Sequence, residues 1–119
     1  MAADIEYKSI QSFKCSDLEH LFLSVEWSSG HYPEKLVLAM QNFSTVYSAW
    51  DGDQLVGMIC AMDDGVMNVY IHYLLVDPVY QGHTIGSKLI QLVKEKYKFF
   101  MRIAVIGYNK AVSYTHLRA

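Results

Sequence analysis

A glycine-bearing turn, Tyr80-Gln81-Gly82-His83-Thr84-Ile85-Gly86-Ser87-Lys88, lies between an apolar run and an amphipathic segment. A loop that opens a helix points unpaired N–H groups outward, and the helix dipole adds partial positive charge there. Glycines let a ligand approach the backbone closely, so the turn suits a phosphate; the plainer alternative is a helix start with no ligand. Two nucleotide motifs do not fit. A P-loop reads G-x-x-x-x-G-K-[ST], whereas here three residues separate Gly82 from Gly86 and Ser87 precedes Lys88. The dinucleotide fingerprint G-x-G-x-x-G, with an acidic residue after the next strand, is absent. The second chemical feature is His72, nine residues before Gln81. A neutral imidazole with a pKa of ~6.5 is a competent base at neutral pH. The residues alone leave two roles for it open, a proton acceptor or a core histidine bonded to a neighbouring hydroxyl or carbonyl. If its segment is a strand, Tyr70, His72, Leu74 and Val76 share one side.

These residues need a frame to hold them. Ile5 to Ile10 alternates enough for a first strand. Ser16 and Glu19 form a capping box ahead of Leu18, Leu21, Phe22 and Val25, an apolar stripe at helical spacing. Ser28-Ser29-Gly30 breaks that helix, and Pro33 suits the first turn of a second one running to Met40. Thr45 to Trp50 and Leu55 to Met62 read as strands around Asp51-Gly52-Asp53, a hairpin signal. After the Asp63-Asp64-Gly65 turn, Val66 to Val76 is apolar on both faces apart from Asn68 and His72, as in a covered central strand. From Gly86 to Lys98, Leu89, Ile90, Val93 and Tyr97 face inward while Lys88, Lys94, Lys96 and Lys98 face water. Phe100 to Ile106 is one more strand. The order β-α-α-β-β-β-α-β predicts an α/β fold: a mixed sheet with helices on its faces.

Gln81, Gly82, His83, Thr84, Ile85 and Gly86 resemble the coenzyme A motif of the GNAT N-acetyltransferase superfamily, Q/R-x-x-G-x-G/A. Leu74-Leu75-Val76-Asp77-Pro78 resembles the family's preceding L-x-V-x-P, and Trp50 to Gly57 its hairpin. The likeness runs from about Ile5 to Ala111 in the family's order of elements, without its last helix and final strands. It implies acetyl transfer from acetyl-CoA, a co-substrate, to a primary amine of a small molecule or an exposed amino group, with no metal. The pyrophosphate would rest on the amides of Gln81, Gly82, His83, Thr84, Ile85, Gly86 and Ser87. The pantetheine arm would pair with the backbone of Leu75 and Val76, where the family's sheet splays after a bulged strand. Thr84 stands where the family usually has Gly, which would weaken or re-shape pyrophosphate binding. His72 stands at the offset where arylalkylamine-type members carry a proton-relaying histidine. Tyr70 occupies the position of the catalytic glutamate of histone-type members; that assignment does not transfer to a phenol, and Tyr70 is kept as a catalytic candidate beside His72. Trp27, His31 and Tyr32 flank the link that often roofs the acceptor pocket, and Trp27 and Tyr32 are the substrate candidates. The family's usual acid, a tyrosine of an F-Y pair, has no counterpart before residue 111. The same likeness admits a non-catalytic acyl-CoA-binding module or an inactive fragment.

The chain has 119 residues, 52% of them hydrophobic, with a net charge of −2, which predicts one domain and argues against disorder. The near-neutral balance offers no footprint for nucleic acid, and no apolar run approaches the ~20 residues of a membrane span. With an acidic start and only Cys15 and Cys60, the expectation is a cytoplasmic protein with two buried, reduced thiols. Met40, Met58, Met62 and Met67 are expected in the core, Asp63 and Asp64 in a solvated turn, and His20 on the solvent side. A homodimer is left open. Residues 112–119 resemble a translated sequencing-adapter scar, so residues 1–111 are taken as the domain. The strand near Phe100 to Ile106 would then end the sheet with an unprotected edge.

Overall fold

The computed structural model of the chain describes residues 4–81, 84–106 and 114–117. Strands β1 (Ile5–Lys8), β2 (Thr45–Asp51), β3 (Gln54–Asp63), β4 (Asn68–Val76), β5 (Arg102–Ile106) and β6 (Tyr114–Leu117) form one sheet in chain order. All neighbours are antiparallel except β4 and β5, which are joined through α3 (Ile85–Lys96) and run parallel. A parallel pair needs such a crossover, and the amphipathic α3 provides it. Helices α1 (Cys15–Ser24) and α2 (Pro33–Asn42) cover the other face, linked by a 3-10 turn, Ser28–His31.

Each face buries its own apolar cluster. Leu18, Leu21, Phe22, Leu36 and Met40 of α1 and α2 pack on Val46, Trp50, Met58, Cys60 and Leu75. Ile85, Leu89, Val93 and Tyr97 pack on Ala49, Val56, Ile59, Ile71 and Ile103. The two-residue hairpin between Asp51 and Gln54 turns on Gly52, whose φ of 62° suits a residue without Cβ. Gly57 serves a different need. A Cβ there would meet Ile85 Cγ2 at 3.1 Å and the Leu75 carbonyl at 3.4 Å, so its absence lets the start of α3 lie close on the sheet.

Several expectations are corrected. The capping box does not form: α1 begins at Cys15 with Lys14 as N-cap and no side-chain cap bond. Ser16 therefore falls inside the first turn, where its hydroxyl is misplaced to cap. Cys15 is exposed and only Cys60 is buried, where burial pushes its thiol pKa up. Met40 and Met58 are core residues, but Met62 and Met67 are exposed. β5 is not left as an edge, because β6 pairs with it from Ile103↔Leu117 to Ile106↔Tyr114.

The largest correction concerns β4. Cys60 pairs with Tyr73 and Ala61 with Ile71, so His72 is the extra residue of a bulge. A bulge shifts the alternation that follows it. Val69 and Ile71 join the α3 face, yet beyond the bulge it is Leu74 and Val76 that do so, while Tyr73 and Leu75 turn to α1 and α2. Tyr70 and His72 therefore do not share a side with Leu74 and Val76.

Candidate active site

The bulge also ends the pairing with β5. The β4–β5 register runs from Asn68↔Arg102 to Ile71↔Val105, while β4 continues to Val76. From His72 onward that edge has no strand partner among the described residues. Its backbone groups open into a groove of about 540 Å³ lined by Leu74, Leu75, Val76, Tyr80, Gln81, Thr84, Ile85, Gly86 and Ser87. The sequence-predicted binding residues thus gather in one place, apart from Gly82 and His83, which lie outside the described residues.

The loop from β4 to α3 is pinned at several points. The Asp77 N–H donates to the Val56 carbonyl at 2.8 Å, and the buried Asp77 carboxylate accepts from the Val79 N–H at 3.0 Å. The Tyr80 hydroxyl donates to Asp51, and this bond is the main reason its pKa is raised. Gln81 is committed to the loop itself: its N–H donates to Pro78 and its side chain to the Val76 carbonyl at 3.2 Å. Its backbone amide is therefore not offered to an anion, contrary to expectation. The amides of Ile85, Gly86 and Ser87, in the first turn of α3, have no acceptor among the described residues and border the groove. Such a turn is an anion site by backbone geometry and dipole together.

Thr84 is the N-cap of α3 and sits in the left-handed region at φ 64°, ψ 12°. A β-branched residue is an outlier there, whereas glycine adopts it without strain. The substitution noticed in the sequence therefore falls on a backbone angle that favours glycine.

His72 is half-buried at the bulge, its ring tilted against Phe43 at 5.8 Å, and desolvation lowers its pKa from 6.5. The neutral imidazole thus prevails at neutral pH, and it has no hydrogen-bond partner among the described residues. Tyr70, paired across the strand with Met62, is 42% exposed and does not line the groove. Tyr73 is the residue that the sequence did not single out. Its ring contacts Phe22 at 5.1 Å, Trp27 at 5.7 Å and Phe43 at 5.8 Å, linking β4 to both covering helices. Tyr73 and Tyr32 also line a cavity of about 220 Å³ on this face, so Tyr32 falls in a pocket, while Trp27 supports its wall.

Other candidates have structural roles. Asp64 accepts from the N–H groups of Val66, Met67 and Asn68, which hold its carboxyl well below the usual range. Asp63 accepts from Gly65 and from the Tyr97 hydroxyl. His20 is exposed, 3.6 Å from Asp77, and His31 is exposed. Among the described residues no three His, Cys, Asp or Glu side chains gather as a metal site, and no helix is long and apolar enough to cross a membrane.

A mixed sheet covered by helices on both faces, with a groove between the end of β4 and the first turn of α3, sets the class of fold. The acetyltransferase (GNAT) family model matches residues 12–113, and the chain belongs to that family. A GNAT-family acetyltransferase from Streptococcus pneumoniae is 30% identical, with 91% of this chain and 78% of that one covered at a TM-score of 0.75. A GNAT-family acetyltransferase from Brucella melitensis, solved with acetyl-CoA, is 16% identical over 98% of this chain and 89% of that one, TM-score 0.66. An aminoglycoside 6'-N-acetyltransferase solved with coenzyme A is 20% identical over 84% of this chain and 60% of that one, TM-score 0.69. The last two likenesses concern the fold. No curated protein matches the chain.

Proposed function

We propose that this protein moves the acetyl group of acetyl-CoA to a primary amine by direct attack. The observation that carries this is the groove itself: a β4 edge without a strand partner among the described residues leads to the first-turn amides of Ile85, Gly86 and Ser87. An acetyl-CoA-like ligand can use both parts, a strand-like edge for its amide-bearing arm and fixed N–H donors for its pyrophosphate. The edge at Leu75 and Val76 would take the arm, and the first turn of α3 the phosphates. Two solved relatives of the same fold hold coenzyme A or acetyl-CoA, in agreement with this assignment.

In the transfer the ammonium first gives a proton to a base; the amine nitrogen then bonds the acetyl carbon, the carbon–sulfur bond breaks, and the departing thiolate takes up the second proton that the nitrogen sheds, leaving as the free thiol. His72 is the acceptor that fits. It stands on the bulge where the open edge begins, and burial keeps it neutral and ready to take a proton. A positioned base is worth ~10²–10⁴-fold in rate.

The test measures release of the coenzyme A thiol and the mass of the acetylated amine across pH. The kcat/KM profile should show an acidic limb below 6.5, the ordinary histidine value, because the pKa of His72 is lowered. His72→Ala should remove that limb and cost ~10²-fold at neutral pH, recovering as pH rises and the amine deprotonates unaided. Tyr70→Phe should leave the profile unchanged. A stable, fully active His72→Ala protein would refute the role of His72. Thiol release without any acetylated amine would refute the transfer.

A further inference from the structure

The cavity on the α1–α2 face carries information about the acceptor. Its described lining is Ser29, Tyr32, Lys35, Leu36, Ala39 and Tyr73, around a solvent-open pocket of about 220 Å³. An apolar cavity of about 150 Å³ holds a benzene molecule, so this volume suits one aromatic ring with a short substituent. The walls agree with that content. Tyr73 is fixed by rings on three sides, at 5.1, 5.7 and 5.8 Å, and so forms a rigid flat wall. Tyr32 is 57% exposed, which leaves ring surface for a ligand. Ring-on-ring contacts of this kind add to simple apolar burial.

Charge narrows the class further. Lys35 is the one charged side chain in the described lining, and its Nζ stands 5.4 Å from the Tyr32 ring centroid. No carboxylate is present in that lining to receive a second ammonium group. A ligand carboxylate would pair with Lys35, whereas a polycation would meet like charge with no counter-ion. The wall also adjoins the proton acceptor: Tyr73 follows His72, and both rings approach Phe43 at 5.8 Å.

We infer that the acceptor is an aromatic primary amine bearing a carboxylate, its ring between Tyr32 and Tyr73 and its carboxylate on Lys35. The inference rests on the acetyl-transfer reading above, and the test separates the two. With acetyl-CoA present, L-phenylalanine, phenethylamine and spermidine are compared by calorimetric binding and by acetylated product. L-Phenylalanine should lead, with spermidine lower by at least ~10-fold in kcat/KM and in affinity. Lys35→Glu should shift the preference for L-phenylalanine over phenethylamine by ~10-fold towards the latter, in both readouts. Unchanged acetyl-CoA affinity in the variant would show that the fold is kept. Binding in this order without acetylated product supports the assigned pocket and overturns the transfer. Acetylation led by spermidine, no binding of either aromatic amine, or a ratio indifferent to Lys35→Glu overturns the pocket assignment.

Discussion

Replacing Thr84 by Gly and, separately, by Ala isolates the backbone strain at the mouth of the groove. Both variants lack the threonine hydroxyl and methyl, so any contact of that side chain is lost equally. They differ in one Cβ, at a residue with φ 64° and ψ 12°. An L-residue with a Cβ costs about 1–2 kcal/mol in that region, and Gly does not bear this cost. The flexible unfolded state of the Gly variant returns roughly 0.4–1 kcal/mol of the difference. The Gly variant should therefore be more stable than the Ala variant by about 0.5–1 kcal/mol, the reverse of their order inside a helix. For a domain of this size that is a gap of roughly 2–6 °C in thermal midpoint, followed by circular dichroism. Acetyl-CoA affinity should be at least as high in the Gly variant, since its loop reaches the same conformation without strain. An Ala variant equal to or more stable than the Gly variant would refute the left-handed geometry at residue 84.

Gly57→Val would push a side chain against Ile85 Cγ2, 3.1 Å from the added Cβ, and against the Leu75 carbonyl. Overpacking of that kind should cost about 1–3 kcal/mol in chemical denaturation and weaken acetyl-CoA binding by displacing the start of α3. Tyr97→Phe would leave Thr45, 3% exposed, without its hydroxyl partner and should cost about 1–3 kcal/mol in the same assay. The Tyr97 pKa is raised from 10.0 to about 12 by burial first and then by the bond to Asp63. Its stabilisation should be complete below pH 10.0 and lost as pH rises through about 12, a slope that Tyr97→Phe should flatten.

Much of this architecture was legible because its signals are local and periodic. The spacing of Leu89, Val93 and Tyr97 gave α3, and all three are buried on the sheet. Asp51-Gly52-Asp53 gave the hairpin because the chemistry of a two-residue turn is narrow. The groove was legible through the order of a buried run, a glycine turn and a helix start. The bulge at His72 was not. Ile71, Tyr73, Leu74 and Leu75 are all apolar or aromatic, so no polar residue marks which side each one faces. An extra residue in β4 reverses every assignment after it, and only the pairing with β3 reveals it. Tyr73 was overlooked for the same reason: strict alternation placed it opposite His72, whereas the bulge brings both rings onto Phe43. The false capping box shows a similar limit, since Ser16 and Glu19 have the right spacing but α1 starts two residues too early for them.

The central claim is that the first turn of α3 and the open edge of β4 bind acetyl-CoA, and calorimetric titration of acetyl-CoA into Gly86→Glu tests it most directly. A Cβ at Gly86 would stand 3.8 Å from Val76 Cγ2, an ordinary contact, so the backbone accepts a side chain and the fold should be kept. Gly86→Ala, measured beside it, should bind acetyl-CoA and melt close to the unaltered protein. The glutamate instead places bulk and negative charge beside the amides of Ile85 and Ser87, where a phosphate would have to sit. The account predicts loss of measurable acetyl-CoA binding in Gly86→Glu with an unchanged melting temperature. Undiminished binding in a folded Gly86→Glu protein would contradict it.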